Sequence, residues 1–192
     1  MDPAERRELI LSAARHAFAS RPYEEVSLAE VAQKAQASEA LVHKYFAGKA
    51  GLYAQVLQHA ADELAERTRQ ADDALPEGSS ARDRVRTSIL TYLDFIAERS
   101  PGWMAYQILA GHEPGEATQV HQAAREAAVA ALSDVVGGRR GHRDDFALWG
   151  YLGFLDDACL RWVHAGCPDD QRHSLVDAAL GCLEGALGDW RK

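Results

Sequence analysis

The chain predicts an all-α fold, a small front helix-turn-helix domain over residues 1–50 followed by a larger helical domain over 51–192. Three observations lead there. Apolar residues recur at three- and four-residue spacing through nearly every segment, and alternating strand patterns are almost absent. Near the front, two short helices with serine caps are separated by only three or four residues. Hydrophobic residues make up 47% of the 192 positions, ample for a real core.

Taken in order, Pro3 suits the start of a first helix, in which Ile10, Ala13, Ala14, Ala17 and Phe18 form one stripe. The stretch RPYEEV interrupts it. Ser27 with Glu30 three residues later is the capping-box signature, and it opens a short second helix, LAEVAQKA. Ser38 caps a third, EALVHKYF, in which Val42 and Phe46 stand four apart on one face. A long fourth helix follows, with Leu52, Val56, Leu57, Ala60 and Leu64 as its stripe. The break DDALPEGSS has the composition of a linker between two modules. Beyond it Val85, Ile89, Leu93 and Ile96 mark a fifth helix ended by Pro101, and WMAYQILAGH a short sixth. EATQVHQAAREAAVAALSDVV runs to a C-terminal cap at Gly137 and Gly138. Two strongly apolar helices, about 143–165 and 169–190, complete the chain.

Charge is unevenly spread. Residues 1–50 hold seven basic and seven acidic side chains, so the net charge of −8 lies wholly in the rest. Any nucleic-acid-binding surface must therefore be local. No apolar run approaches the roughly 20 residues that span a bilayer, and the start lacks a signal-peptide pattern, which predicts a cytoplasmic protein without membrane contact. Cys159, Cys167 and Cys182 are scattered and read as free thiols on helices. His112, Glu113, Glu116 and His121 do not keep the helical spacing a metal site needs across Pro114, and no metal or cofactor is expected. Asp156 and Asp157 sit amid apolar residues, with Arg161 placed for an ordinary ion pair to Asp157. With no glycine-rich phosphate loop or nucleophile elbow, an enzyme is the remotest reading.

The third helix must bury one face and offer the other. With Val42 and Phe46 inward, Glu39, Ala40, an exposed Leu41, His43 and Lys44 remain for the DNA major groove. Lys44 suits guanine O6 or N7, Glu39 suits cytosine N4, and Ala40 or Leu41 suits a thymine methyl. Ser27 and Lys49 are placed for phosphates, which fix register and not sequence.

Residues 9–57 resemble the amino-terminal DNA-binding domain of the TetR family of bacterial transcriptional regulators. The resemblance rests on AARHAF, VSLAEVAQKA, the serine opening helix three, Tyr45–Phe46, and Lys49 three residues on. It implies that Ser27, Glu39, Ala40, Leu41, His43, Lys44, Tyr45 and Lys49 contact operator DNA, and Ser38, which opens the helix, is grouped with them. Two departures stand out. The family turn commonly reads Ala-Gly-Val-Ser, whereas here Gln36 takes the glycine position, and His43 takes that of a tyrosine, adding a pH-sensitive contact.

A lone helix-turn-helix neutralises few phosphates, so a homodimer on palindromic double-stranded DNA is expected. The last two helices together supply the candidate seam, the alternative being that the pair only closes its own core. The last helix carries the stripe of Leu175 or Val176, Ala179 or Leu180, Leu183, Ala186 or Leu187, and Trp190, and the penultimate one is doubly apolar, with Phe146, Trp149, Leu152, Leu160 and Val163 on one side and Leu148, Tyr151, Leu155, Cys159 and Trp162 on another, where Gly150 and Gly153 admit close approach. The family dimerises through these two helices. Tyr92, Phe95, Trp103, Met104, Tyr106 and Ile108 cluster around the Pro101 break as a candidate effector pocket for an apolar or aromatic molecule. The resemblance implies that such an effector moves the fourth helix and releases DNA, which makes the expected protein a ligand-responsive regulator, most simply a repressor. The rival is an all-α ligand- or partner-binding protein that no longer touches DNA, favoured by the neutral front and Gln36.

Overall fold

The computed structural model describes residues 2–99, 101–103, 114–138 and 141–188. Among them there are α-helices and one short 3-10 turn, Tyr23–Glu25, and no strand. The helices are α1 (Pro3–Ser20), α2 (Leu28–Lys34), α3 (Glu39–Phe46), α4 (Lys49–Asp73), α5 (Ala81–Glu98), α6 (Gly115–Val135), α7 (His142–His164) and α8 (Asp169–Leu187).

Local chemistry sets the ends of the front helices. The Asp2 backbone N–H donates to Glu5 at 3.0 Å ahead of Pro3. Ser27 Oγ accepts from the Glu30 N–H at 3.1 Å, and Ser38 Oγ from the Leu41 N–H at 3.2 Å. The carboxylate half of the expected capping box is used elsewhere: one Glu30 oxygen takes Arg21 at 2.6 Å and Lys34 at 3.1 Å. Those two cations, Arg21 first, hold the Glu30 carboxyl below its ordinary value.

The end of α2 explains the unusual turn. Gln36 adopts φ +51°, its N–H donates to the Gln33 carbonyl at 3.1 Å, and the Ala37 N–H donates to the Ala32 carbonyl at 2.9 Å. That is a full Schellman cap, which needs a left-handed residue where the family commonly has glycine. The geometry survives and the strain falls on glutamine. Because a left-handed L-residue costs about 1–2 kcal/mol and glycine loses about 0.5–1 kcal/mol of that advantage in the unfolded chain, Gln36→Gly should stabilise by up to about 1 kcal/mol. A rise of about 2–4 °C in the thermal midpoint would register it, and an unchanged or lower midpoint would refute it.

The chain divides into two compact units: residues 1–62 with 99–123, and 63–98 with 124–192. The first takes in the helix-turn-helix, the first part of α4 and the first turns of α6. Its core joins Ile10, Ala14 and Phe18 of α1 to Val31 of α2, Val42 and Phe46 of α3, and Leu52 of α4, with Ala117 of α6 fully buried among them. Phe18, Tyr23 and Tyr53 meet ring to ring beside it. A Cβ on Gly102 would lie 2.5 Å from the Phe18 carbonyl oxygen, so only glycine lets that segment lie against the end of α1.

In the second unit α7 packs most extensively on α8, and α5 lies against α8. Leu148, Tyr151, Leu155, Cys159 and Trp162 of α7 face Val176, Ala179, Leu180 and Leu183 of α8 in its core, joined by Val85, Ile89, Leu93 and Ile96 of α5. Arg86–Asp177 at 2.7 Å, Arg172–Asp94 at 2.5 Å and Arg82–Glu184 tie α5 to α8 at the surface. The break at 72–80 does not separate two modules. It joins α4 and α5 inside this unit, where Arg84 pairs with Asp72 at 2.5 Å. Turn composition marks a reversal of direction and carries no information about which helices pack afterwards. Cys159, Cys167 and Cys182 are free thiols, but Cys167 lies in the α7–α8 turn at φ +55° and not on a helix. Among the described residues no helix is long and apolar enough to cross a membrane.

Candidate nucleic-acid interface

The third helix carries its faces as its periodicity requires. Val42 is 0% and Phe46 4% exposed, while Glu39, Ala40, His43 and Lys44 are exposed together on the other side. Leu41 departs from expectation: it is half-buried and packs against the core, as Tyr45 does. The pair is spaced four apart beside Val42 and Phe46, so it forms a shoulder of the anchored face and not the centre of the offered one.

Flanking side chains are held differently. Ser27 and Ser38 are exposed, and each uses an oxygen lone pair as a cap while its O–H hydrogen stays available to donate. Lys49, at the first position of α4, lies 4.3 Å from the Tyr23 ring centre and donates to the Glu24 carbonyl at 3.4 Å. Burial lowers its pKa, with Glu24 acting in the opposite sense. Any phosphate it meets is met by a cation already seated. Lys44 has no acidic partner among the described residues, whereas Arg21 and Lys34 share Glu30 and Arg15 is paired with Glu8. Arg6, Arg7 and Lys49 also meet neutral groups and no carboxylate, but each is half-buried and engaged, so among these cations Lys44 is the one on the offered face of α3.

Two residues were absent from the sequence reading. Arg6 donates to the Gln36 carbonyl at 3.0 Å, and Arg7 donates to Gln55 at 2.9 Å with its guanidinium 4.9 Å from the Phe46 ring centre. Their partners lie 30 and 39 to 48 residues away, beyond any local pattern.

The model for bacterial regulatory proteins of the tetR family matches residues 10–56, which span α1 to the first part of α4. Over 187 residues the chain is 30% identical to the transcriptional activator FasR of Mycolicibacterium smegmatis, covering 95% of this chain and 83% of that one. The chain belongs to the TetR family. A TetR-family regulator from Streptomyces coelicolor shares the fold with a TM-score of 0.78 at 24% identity, covering 97% of this chain and 80% of that one. FadR of Bacillus subtilis, solved in complex with stearoyl-CoA, shares it with a TM-score of 0.68 at 16% identity over 94% of this chain and 97% of that one. In this TetR-family chain the helix-turn-helix is thus a DNA-binding element of a transcriptional regulator.

The expected effector residues are only partly visible. Tyr92 and Phe95 lie in the second unit, half-buried and 7% exposed respectively; Trp103 is half-buried in the first. Met104, Tyr106 and Ile108 lie outside the described residues. Tyr92 donates to Asp156 at 3.2 Å, and Arg125 reaches the other carboxylate oxygen at 2.5 Å. Burial raises the Asp156 pKa even against these two partners. The expected Asp157–Arg161 pair does not form among the described residues; the ion pair goes to Asp156, because Arg125 arrives from α6.

The two helices of the expected seam differ in what they leave exposed. On α8, Val176, Ala179, Leu180 and Leu183 are each 0% exposed and are consumed by the unit's own core, and Trp190 lies outside the described residues. On α7 the side bearing Phe146, 77% exposed, and Phe154, 37% exposed, is left open. A Cβ on Gly150, between them, would meet nothing within 4 Å.

Proposed function

We propose that the chain is a ligand-responsive TetR-family regulator that binds palindromic operator DNA as a homodimer and lets go when a small apolar effector enters its helical rear. The observation that carries the reading is α3, braced by Val42 and Phe46 and offering Glu39, Ala40, His43 and Lys44, the last without an acidic partner among the described residues. Ser27, Ser38 and Lys49 supply phosphate contacts around it, and Leu41 and Tyr45 contribute only their exposed edges.

Dimerisation is assigned to α7 and α8, with the α7 side bearing Phe146, Gly150 and Phe154 as the apolar patch. For the effector, Tyr92 and Phe95 of the second unit are the residues to test first. Molecules with a long acyl chain are the first apolar class to test, because a protein of the same fold was solved with stearoyl-CoA, and the free acid and the CoA thioester, with its anionic head, are assayed side by side. A dimer seated on a promoter represses by occupancy, and that is the sense proposed. Activation is the second reading, favoured by the likeness of nearly the whole chain to a protein named a transcriptional activator.

Lys44→Ala is the direct test. On the duplex that the purified chain enriches from a random pool, affinity should fall by about 1–3 kcal/mol and one base position should relax, with the thermal midpoint unchanged. Undiminished selectivity would remove Lys44 from the interface. A wild-type chain that enriches no duplex would remove the whole proposal.

A further inference from the structure

Neighbouring arginines on α1 reach opposite ends of α3. Arg6 Nη1 donates to the Gln36 carbonyl at 3.0 Å, in the turn that enters the helix. Arg7 lays its guanidinium 4.9 Å from the centre of the Phe46 ring, on the last residue of the helix, and its Nη2 donates to Gln55 of α4 at 2.9 Å. Successive residues of a helix point about 100° apart, and eight helical residues span about 12 Å, so two adjacent long side chains suffice to touch both ends.

We propose that Arg6 and Arg7 are positioning residues, which fix the height and tilt of α3 in the major groove without touching DNA themselves. This rests on the reading of α3 as the base-reading helix. Three features of the site support it. Arg6 holds the carbonyl of the left-handed residue in the cap that aims α3. Arg7 uses both the flat face and the edge of its guanidinium, one on Phe46 and one on Gln55, a combination that a lysine ammonium lacks. Both side chains are half-buried and already engaged, unlike Lys44. Base readout depends on such bracing, because the paired hydrogen bonds that discriminate bases tolerate little displacement of the helix that carries them.

The alternative role for an arginine here is a phosphate contact, and charge separates the two. Arg7→Lys keeps the charge and loses the planar geometry; Arg7→Gln loses both. Arg6→Gln is an independent second test, read by selectivity and salt slope, because a lysine ammonium can also donate to the Gln36 carbonyl. Each variant is assayed by binding to the duplex enriched from a random pool by the wild-type chain and to a scrambled duplex of equal length, over a series of salt concentrations. Positioning predicts that lysine and glutamine lower the ratio of enriched to scrambled affinity alike, by about 3- to 10-fold, with the salt slope unchanged. A phosphate contact predicts rescue by lysine and a slope reduced by about 0.9 in the glutamine variant, and that result overturns the proposal. So does a ratio equal to wild type in all three variants, or one that changes only in step with a lowered unfolding midpoint. If the wild-type chain enriches no duplex, the base-reading role of α3 falls and this inference with it; if the wild type enriches one and the variants select it equally well, this inference falls alone.

Discussion

Phe46→Ala lowers stability by about 3–5 kcal/mol, the range for deleting a large buried aromatic side chain. The ring is 4% exposed, sits at the end of α3 inside the front core, and carries the Arg7 guanidinium on its face. Its removal opens a cavity between α1, α3 and α4 that eight helical residues cannot collapse to fill. Domains of this kind hold only about 5–15 kcal/mol in total, so the urea midpoint should drop far enough to leave the variant close to unfolding at 37 °C. Glu39→Ala on the opposite side of the same helix should shift stability by no more than about 0.5 kcal/mol while changing base preference. The contrast is the informative result. Similar losses from both substitutions would mean that α3 has no offered face.

Joint replacement of Phe146 and Phe154 by glutamate leaves a folded monomer. Both rings are exposed in the single chain, at 77% and 37%, so charging them disturbs little of the internal packing, whereas a carboxylate pair buried in an interface is strongly unfavourable. Sedimentation should show one subunit for the variant and, if the proposed α7 seam holds, two for the wild type. Affinity for the palindromic duplex should fall on the order of 100-fold, because the second half-site no longer benefits from the effective concentration a linked partner provides. Helical circular dichroism should be preserved. A wild-type chain that is monomeric in dilute solution, or a double variant that still sediments as two subunits, would contradict the α7 seam.

The helix-turn-helix was readable residue by residue because each signal acts over three or four positions. Ser27 and Ser38 cap the helices they were expected to cap, Gly137 and Gly138 end α6, and Val42 and Phe46 are buried. The rear unit was less legible for a related reason. Helix α7 is apolar almost all round, so periodicity could not say which side meets its own core; nor could it reveal that the α8 stripe would be used internally. Leu41 was misplaced at a boundary between faces, where one residue's width separates half-buried from exposed. The carboxylate of Asp156 found Arg125 at a separation of 31 residues, while the local rule pointed to Asp157 and Arg161.

By itself the sequence determined the helical class, the serine caps and the two-sided character of α3, because each follows from backbone hydrogen bonding and side-chain spacing within one or two turns; that Gln36 keeps the left-handed turn was decided by the structure. Only the tertiary structure decided that Arg6 and Arg7 grip α3, that Lys49 sits on Tyr23, that Asp156 takes Arg125, and that α7 rather than α8 keeps an apolar side open. Apolar pattern dictates that a surface must be covered, but what covers it depends on how segments tens of residues apart fill the same space.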